Sequence, residues 1–356
     1  MSQHTRMESF VDELVASGRV GGAGLAAAVD GRTVFEHYAG CANPDVTAGP
    51  DVLWPIASIS KLYTAAAIMR LVEHGSLTLG MRVVDVLPQC AGGGREEITL
   101  RQLMTHTSGL PNESPQMPDR MATMSLIEAL IEEAFGLDLE FSPGTNQSYS
   151  DLGYLIAGQI ASTVSGISFP ELVRTLVLEP AALSRTFMPP EEVEYPRIAH
   201  VEGVFASDTS GAMYNSAYSR QLAHPAFGTV ASLVDLLDFG LCFDPCSDRQ
   251  LLSRAGILTM TSDQTCGDFA AESSIVPAGV IHAWGIGFSI KGRSGYPELA
   301  SPEGYGHGGA SGCYIWIDPR HRVTIAFVSN RHYNASSTEF MQRLDQALSV
   351  TLSSLT

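Results

Sequence analysis

Trp54-Pro55-Ile56-Ala57-Ser58-Ile59-Ser60-Lys61-Leu62-Tyr63 is the stretch from which the rest of the chain is best read. Residues three apart on a helix are surface neighbours, so Lys61 can reach back to the Ser58 hydroxyl. A serine hydroxyl becomes a useful nucleophile when a nearby base takes its proton, and a lysine amine can do so only when neutral. Burial disfavours the ammonium and supplies that state, which is why lysine and not arginine suits the role. The following residues, Leu62 to Val72, are strongly apolar and end near Gly75, as expected of a buried helix with Ser58 in its first turn. Unpaired backbone N–H groups at such a helix start favour a developing negative charge. The same spacing also fits a Ser58 or Ser60 helix cap with a solvated lysine. The chain has only two lysines, Lys61 and Lys291, so the placement is notable, but the pair needs corroboration.

The bulk properties narrow the setting. With 356 residues and 45% hydrophobic content the chain can bury a large core, in one domain or two interlocked ones. Its 38 acidic against 21 basic side chains, net −17, argue against a nucleic-acid or anionic-membrane surface. The start, Met1 to Leu14, is acidic and amphipathic where a secretion signal needs a basic opening and an apolar run, so a cytoplasmic location is expected. No run of apolar residues is long enough to span a membrane. Cys41, Cys90, Cys242, Cys246, Cys266 and Cys313 are scattered, and free thiols are expected in place of a disulfide framework. Cys242-x-x-x-Cys246 lacks a second ligand pair and the histidines form no metal-binding pattern, so no metal site is expected.

Periodicity gives the organisation. Residues 7–17 read as an amphipathic helix closed by Gly18, and two strands flank Asp30-Gly31, a two-residue hairpin signal. The far end mirrors this. Trp284 to Ile290, Cys313 to Ile317 and Val323 to Val328 read as strands, followed by a helix carrying Phe340, Leu344, Leu348 and Leu352 at spacings of four. Between them, segments near 98–107, 124–135, 151–164, 169–178 and 231–241 have helical periodicity. The expected fold is therefore α+β: an antiparallel sheet with terminal helices, built from residues 1–75 and 280–356, carrying a mostly helical insertion over 76–279. Residues 189–228 lack periodicity and read as a long loop, with a partial lid over the site preferred to a passive surface loop.

Two later segments bear on Ser58. Tyr149, in Asn146-Gln147-Ser148-Tyr149-Ser150-Asp151, stands just before a helix start, where a phenol near an amine can serve as general acid or base. It can equally be a packing residue while Ser150 or Asp151 caps the helix. Gly304-Tyr305-Gly306-His307-Gly308-Gly309-Ala310-Ser311-Gly312-Cys313 precedes a strand, and its glycines let backbone approach a ligand closely. Read alone, it also fits an edge strand with a flexible entry.

Together, Ser58-Ile59-Ser60-Lys61, Tyr149-Ser150-Asp151 and His307-Gly308-Gly309, in that order, resemble the serine β-lactamase and penicillin-binding-protein superfamily. The likeness is nearest its class C β-lactamase-like and family VIII esterase-like branch. Leu100 to Leu110, Phe141 to Gly144, Thr229 to Phe239 and Trp284 to Phe288 are secondary matches, and the resemblance covers about residues 8 to 350. It implies that Ser58 forms an acyl-enzyme while Lys61 and Tyr149 shuttle its proton, with no metal or cofactor. The backbone N–H groups of Ser58 and Ala310 would then form the oxyanion hole, and Asp151, His307, Gly308 and Gly309 would contact substrate. Two departures stand out. Asp151 replaces the usual Asn, and His307-Gly308 replaces the Lys-hydroxyl pair that holds a β-lactam carboxylate, leaving a weaker, pH-dependent charge. A direct Asp151–His307 pairing is a further expectation. Both changes favour a small carboxylic ester or amide over a β-lactam, so the leading expectation is a cytoplasmic serine esterase. Acyl transfer to an amine or alcohol in small-molecule tailoring is the alternative, ahead of a β-lactamase or D-aminopeptidase and of a non-catalytic binding module. A Gly-x-Ser-x-Gly elbow is absent, which removes the α/β-hydrolase rival.

Overall fold

β1 (Gly22–Val29) is a run of small residues, Gly-Ala-Gly-Leu-Ala-Ala-Ala-Val, buried on both faces. That composition lets helices close in from either side. A Cβ on Gly24 would lie 2.9 Å from the Leu233 side chain and 2.8 Å from that of Tyr38. The computed structural model describes residues 3–117, 126–203, 212–265, 283–292, 297–332 and 339–356.

β1 turns at Asp30-Gly31 into β2 (Arg32–Asn43), and the sheet continues with β3 (Val46–Thr47) beyond β2. On the other side of β1 come β11 (Val323–Ser329), β10 (Cys313–Asp318), β9 (Tyr305–Gly309), β8 (Ser289–Ile290) and β7 (Ala283–Trp284). The order is β3-β2-β1-β11-β10-β9-β8-β7, every pairing antiparallel. The first and last strands of the chain thus meet side by side at β1–β11. Residue pairing there, Leu25 with Phe327 and Ala27 with Ile325, sends alternate side chains to opposite layers. One layer is made by the terminal helices Gln3–Ala16 and Glu339–Leu355, whose Met7, Val11, Leu14, Leu344, Leu348 and Leu352 pack on Leu25, Ile325 and Phe327. The other is the larger core around the Ser60–Glu73, Asp151–Ser165 and Leu233–Leu241 helices.

The expected helical periodicities appear as the helices Leu100–Met104, Ile127–Ala134, Asp151–Ser165, Phe169–Val173 and Leu233–Leu241. The intervening region is not purely helical. β5 (Thr186–Phe187) and β6 (Val230–Ala231) join β4 (Trp54–Pro55) in a small second sheet ordered β4-β6-β5. Two-residue strands are too short to leave an alternation that sequence periodicity can reveal. That small sheet matters because β4 runs directly into Ser58. The Ile56 N–H donates to Thr229 O at 3.1 Å and the Thr229 N–H donates to Ser60 Oγ at 3.0 Å, pinning the entry to the helix.

Cys41, Cys90, Cys242, Cys246 and Cys313 are free thiols; Cys266 lies outside the described residues, as does the side chain of Phe340. Among the described residues no single helix is long and apolar enough to cross a membrane.

Candidate active site

Ser58 does not begin the long helix itself. It sits in a tight turn, Ala57–Ile59, that leads into the Ser60–Glu73 helix. Ala57 has φ +45°, a left-handed conformation that costs a residue with a Cβ roughly 1–2 kcal/mol. Such a cost persists where surrounding structure enforces it, often at a functional site. Here the enforcement is visible: a Cβ on Gly309 of β9 would lie 2.2 Å from Ile56 O, so β9 presses directly on the turn. Only glycine permits that approach. Ala310 follows at the end of β9 and packs with Ala57, bringing the two expected oxyanion donors to the same corner.

Lys61 is 0% exposed, one helical turn on from Ser58. Its Nζ donates to Ser58 Oγ at 3.1 Å and to Ala226 O at 3.2 Å, and it lies 2.6 Å from Asp151 Oδ1. Burial lowers its pKa, and the carboxylate of Asp151 opposes that fall without reversing it. The alternative of a solvated lysine is therefore excluded. The other lysine has a structural setting: Lys291 Nζ is caged by the carbonyls of Pro297, Glu298 and Ala300.

Tyr149 reaches the pair from the start of the Asp151–Ser165 helix. Ser150 caps that helix, its Oγ accepting from the Gly153 N–H at 3.0 Å, which frees Tyr149 and Asp151 on either side to face Lys61. Lys61 Nζ stands 4.6 Å from the Tyr149 ring centroid. Burial, then the charge of Asp151, pushes the phenol pKa well above its ordinary value, while a contact with Ser58 pulls it down. The hydroxyl nonetheless makes no complete hydrogen bond with any described residue.

Two expectations are corrected. Asp151 does not pair with His307; its charge partner is Lys61, because the helix start places the carboxylate over the lysine. Nor does His307 offer a pH-dependent charge. It is buried in β9, and burial together with the nearby Lys61 lowers its pKa to about 3, so it stays neutral. Gly308 accepts from His307 Nδ1 at 2.7 Å and joins the same strand.

Other residues close the site without having been singled out. His106, in the Leu100 to Leu110 segment, adopts φ +61°, accepts from the Ser150 N–H and stacks on Tyr149 with ring centroids 4.4 Å apart. Its left-handed backbone leaves no trace in residue type. Trp284 packs edge-on against His106 at 4.5 Å. His224 is buried near Lys61 with its pKa lowered to about 3, chiefly by burial. From the long loop, Tyr214 packs with Ala57, Val201 and Ala310, so this part of the loop covers the corner beside Ser58. Among the described residues no group of His, Cys, Asp or Glu is arranged to hold a metal ion.

The Beta-lactamase family model matches residues 7–348. The chain belongs to the beta-lactamase family. As a member of that family it is a serine hydrolase or acyltransferase. It is 28% identical over 344 residues to "Penicillin-binding protein 4" of Amycolatopsis lactamdurans, covering 92% of this chain and 85% of that protein. Among solved structures, a family VIII carboxylesterase superposes with TM-score 0.81 at 20% identity, covering 98% of this chain and 97% of that one. The structure titled "EstCE1, a hydrolase with promiscuous acyltransferase activity" gives 0.80 at 17% identity, covering 97% and 98%. At such identities these two likenesses bear on the beta-lactamase family fold.

Proposed function

We propose that the protein is a serine esterase that forms an acyl-enzyme on Ser58 with a small carboxylic ester. The observation that carries this reading is the buried Lys61 amine 3.1 Å from Ser58 Oγ, with its pKa lowered by burial and the Tyr149 hydroxyl beside both. In the proposed cycle neutral Lys61 takes the Ser58 proton as Oγ attacks the carbonyl carbon. The oxyanion is received by the N–H groups of Ser58 and Ala310, donors whose individual loss typically costs ~10²–10³ in rate. Collapse expels the alkoxide, which takes a proton from Tyr149, and Lys61 restores the phenol. Water then repeats the sequence in reverse and releases the acid.

The preference for an ester rests on charge. A β-lactam or a peptide C-terminus presents a carboxylate, yet His307 is neutral, and Lys61 is the neutral base of the cycle and, whenever it is protonated, already faces Asp151. A neutral ester needs no such cation. Likeness to the family VIII carboxylesterase, as a shared fold, is compatible with this choice.

The test is a panel of kcat/KM values for p-nitrophenyl acetate and butyrate, nitrocefin, and a peptide ending in D-Ala-D-Ala. Ester turnover at least ~10²-fold above the other two is expected, the margin of one well-placed polar group. Faster nitrocefin or peptide cleavage would overturn the ester assignment. Including an alcohol or amine acceptor and weighing ester or amide product against free acid separates hydrolysis from acyl transfer.

A further inference from the structure

Two buried histidines flank Tyr149, and their neighbours fix where each ring hydrogen sits. The Ser150 N–H donates to His106 Nδ1 at 3.1 Å, so the hydrogen of neutral His106 is on Nε2. His307 is the complementary case. Its Nδ1 lies 2.7 Å from Gly308 O, which can only accept, so Nδ1 carries the hydrogen and Nε2 presents a lone pair. Neither Nε2 has a hydrogen-bond partner among the described residues, and both atoms are buried.

The two rings share the same aromatic neighbours. Tyr149 lies 4.4 Å from His106 and 6.2 Å from His307, centroid to centroid, and Trp284 lies 4.5 Å and 5.5 Å from them. One unmet donor and one unmet acceptor therefore stand around the residue assigned to protonate the leaving group. Buried polar atoms without partners are costly, and each calls for a partner that the surrounding side chains do not supply.

We propose that His106 Nε2–H and His307 Nε2 form a hydroxyl-binding subsite beside Tyr149, taking the free hydroxyl of an ester whose alcohol part is a diol or polyol. This rests on the esterase reading. A hydroxyl both accepts and donates through one oxygen, so a single such group can serve a donor and an acceptor. A carboxylate has no hydrogen for His307, an ammonium has no lone pair for His106, and a methyl has neither.

The experiment compares kcat/KM for 2-hydroxyethyl, propyl and carboxymethyl esters of one short acid. The 2-hydroxyethyl ester is expected to exceed the propyl ester by roughly ten- to a hundredfold, because a site built to bond a hydroxyl is left with unpaired groups by its absence. The carboxymethyl ester should be the poorest. Both His106→Asn and His307→Asn should bring the hydroxyethyl-to-propyl ratio close to one. Asn keeps the other bond of each ring, accepting from the Ser150 N–H or donating to Gly308 O, and it tolerates the φ +61° of residue 106. Fluorophosphonate labelling of each variant reports whether the Ser58 centre is still assembled. A wild-type ratio near one overturns the inference, with no variant needed. So does a variant in which both rates fall while the ratio holds, the signature of a purely structural role. If both esters turn over without discrimination only the subsite fails; if neither acylates the enzyme, the esterase reading fails and the subsite falls with it.

Discussion

Replacing Asp151 by Asn keeps the shape of the side chain and removes the carboxylate that lies 2.6 Å from Lys61 Nζ. An opposite charge this close shifts a partner's pKa by roughly 1–3 units, each unit about 1.4 kcal/mol. Asp151 favours the ammonium, so without it burial is opposed only by the smaller effect of the Glu113 charge, and the already lowered Lys61 pKa falls further. The neutral amine that receives the Ser58 proton then becomes available at lower pH. In a kcat/KM profile on a p-nitrophenyl ester, the acidic limb of Asp151→Asn should move down by one unit or more. One pH unit below the wild-type limb, the variant should outpace the wild type up to ~10-fold, relative to each plateau. Stability should move the other way. The folded pKa of Lys61 lies below its unfolded value, so the penalty is absent above about pH 10.5, grows as pH falls toward the folded pKa, and is then constant. An acidic limb that stays in place or moves up would refute the coupling of Asp151 to Lys61.

Tyr149→Phe and Lys61→Ala should each lower kcat by roughly 10²–10⁴; near-normal turnover in either would remove that residue from proton transfer. Gly309→Ala drives a Cβ to 2.2 Å from Ile56 O, so the Ser58 turn must shift. Overpacking of this kind costs about 1–3 kcal/mol, and displacement of the oxyanion donors should cut kcat by ~10² or more; a variant with wild-type kcat and Tm would contradict the close approach. His106, His224 and His307 all have folded pKa values below 6.5, near 3 for the last two. The unfolded chain therefore binds their protons first, and their stability is complete above about pH 6.5 and lost as pH falls. At about 1.4 kcal/mol per unit, His224 and His307 alone should remove roughly 4 kcal/mol by pH 5, a large share of the ~5–15 kcal/mol that holds a typical protein together, and His106 acts in the same direction. Denaturant unfolding between about pH 7.5 and 5 measures this, and a flat profile would mean these rings are not buried as neutral groups.

Much of the architecture was legible because it is written in periodicity. The Asp30-Gly31 hairpin, the apolar run after Lys61 and the leucines at 344, 348 and 352 each follow the spacing of their element. The site was legible where a motif carries its own geometry, as the i,i+3 pair Ser58 and Lys61 does. What escaped depends on tertiary position. The Asp151–Lys61 contact joins two helices 90 residues apart in sequence, and charge alone paired Asp151 equally well with His307. The carbonyl of Ala226 on Lys61 is a backbone group, invisible to any reading of side chains. His106 looked like one of ten histidines until its backbone and its bond to Ser150 were seen. The burial that makes His307 neutral is likewise a property of β9 in its sheet, not of the Gly-rich sequence around it.

Labelling by a fluorophosphonate, followed by peptide mapping, tests the central claim most directly. The adduct should lie on Ser58 in the wild type and be absent from Ser58→Ala with its fold intact. A labelled residue elsewhere, or a Ser58→Ala variant that still labels and turns over ester, would contradict the assignment of Ser58 as the nucleophile.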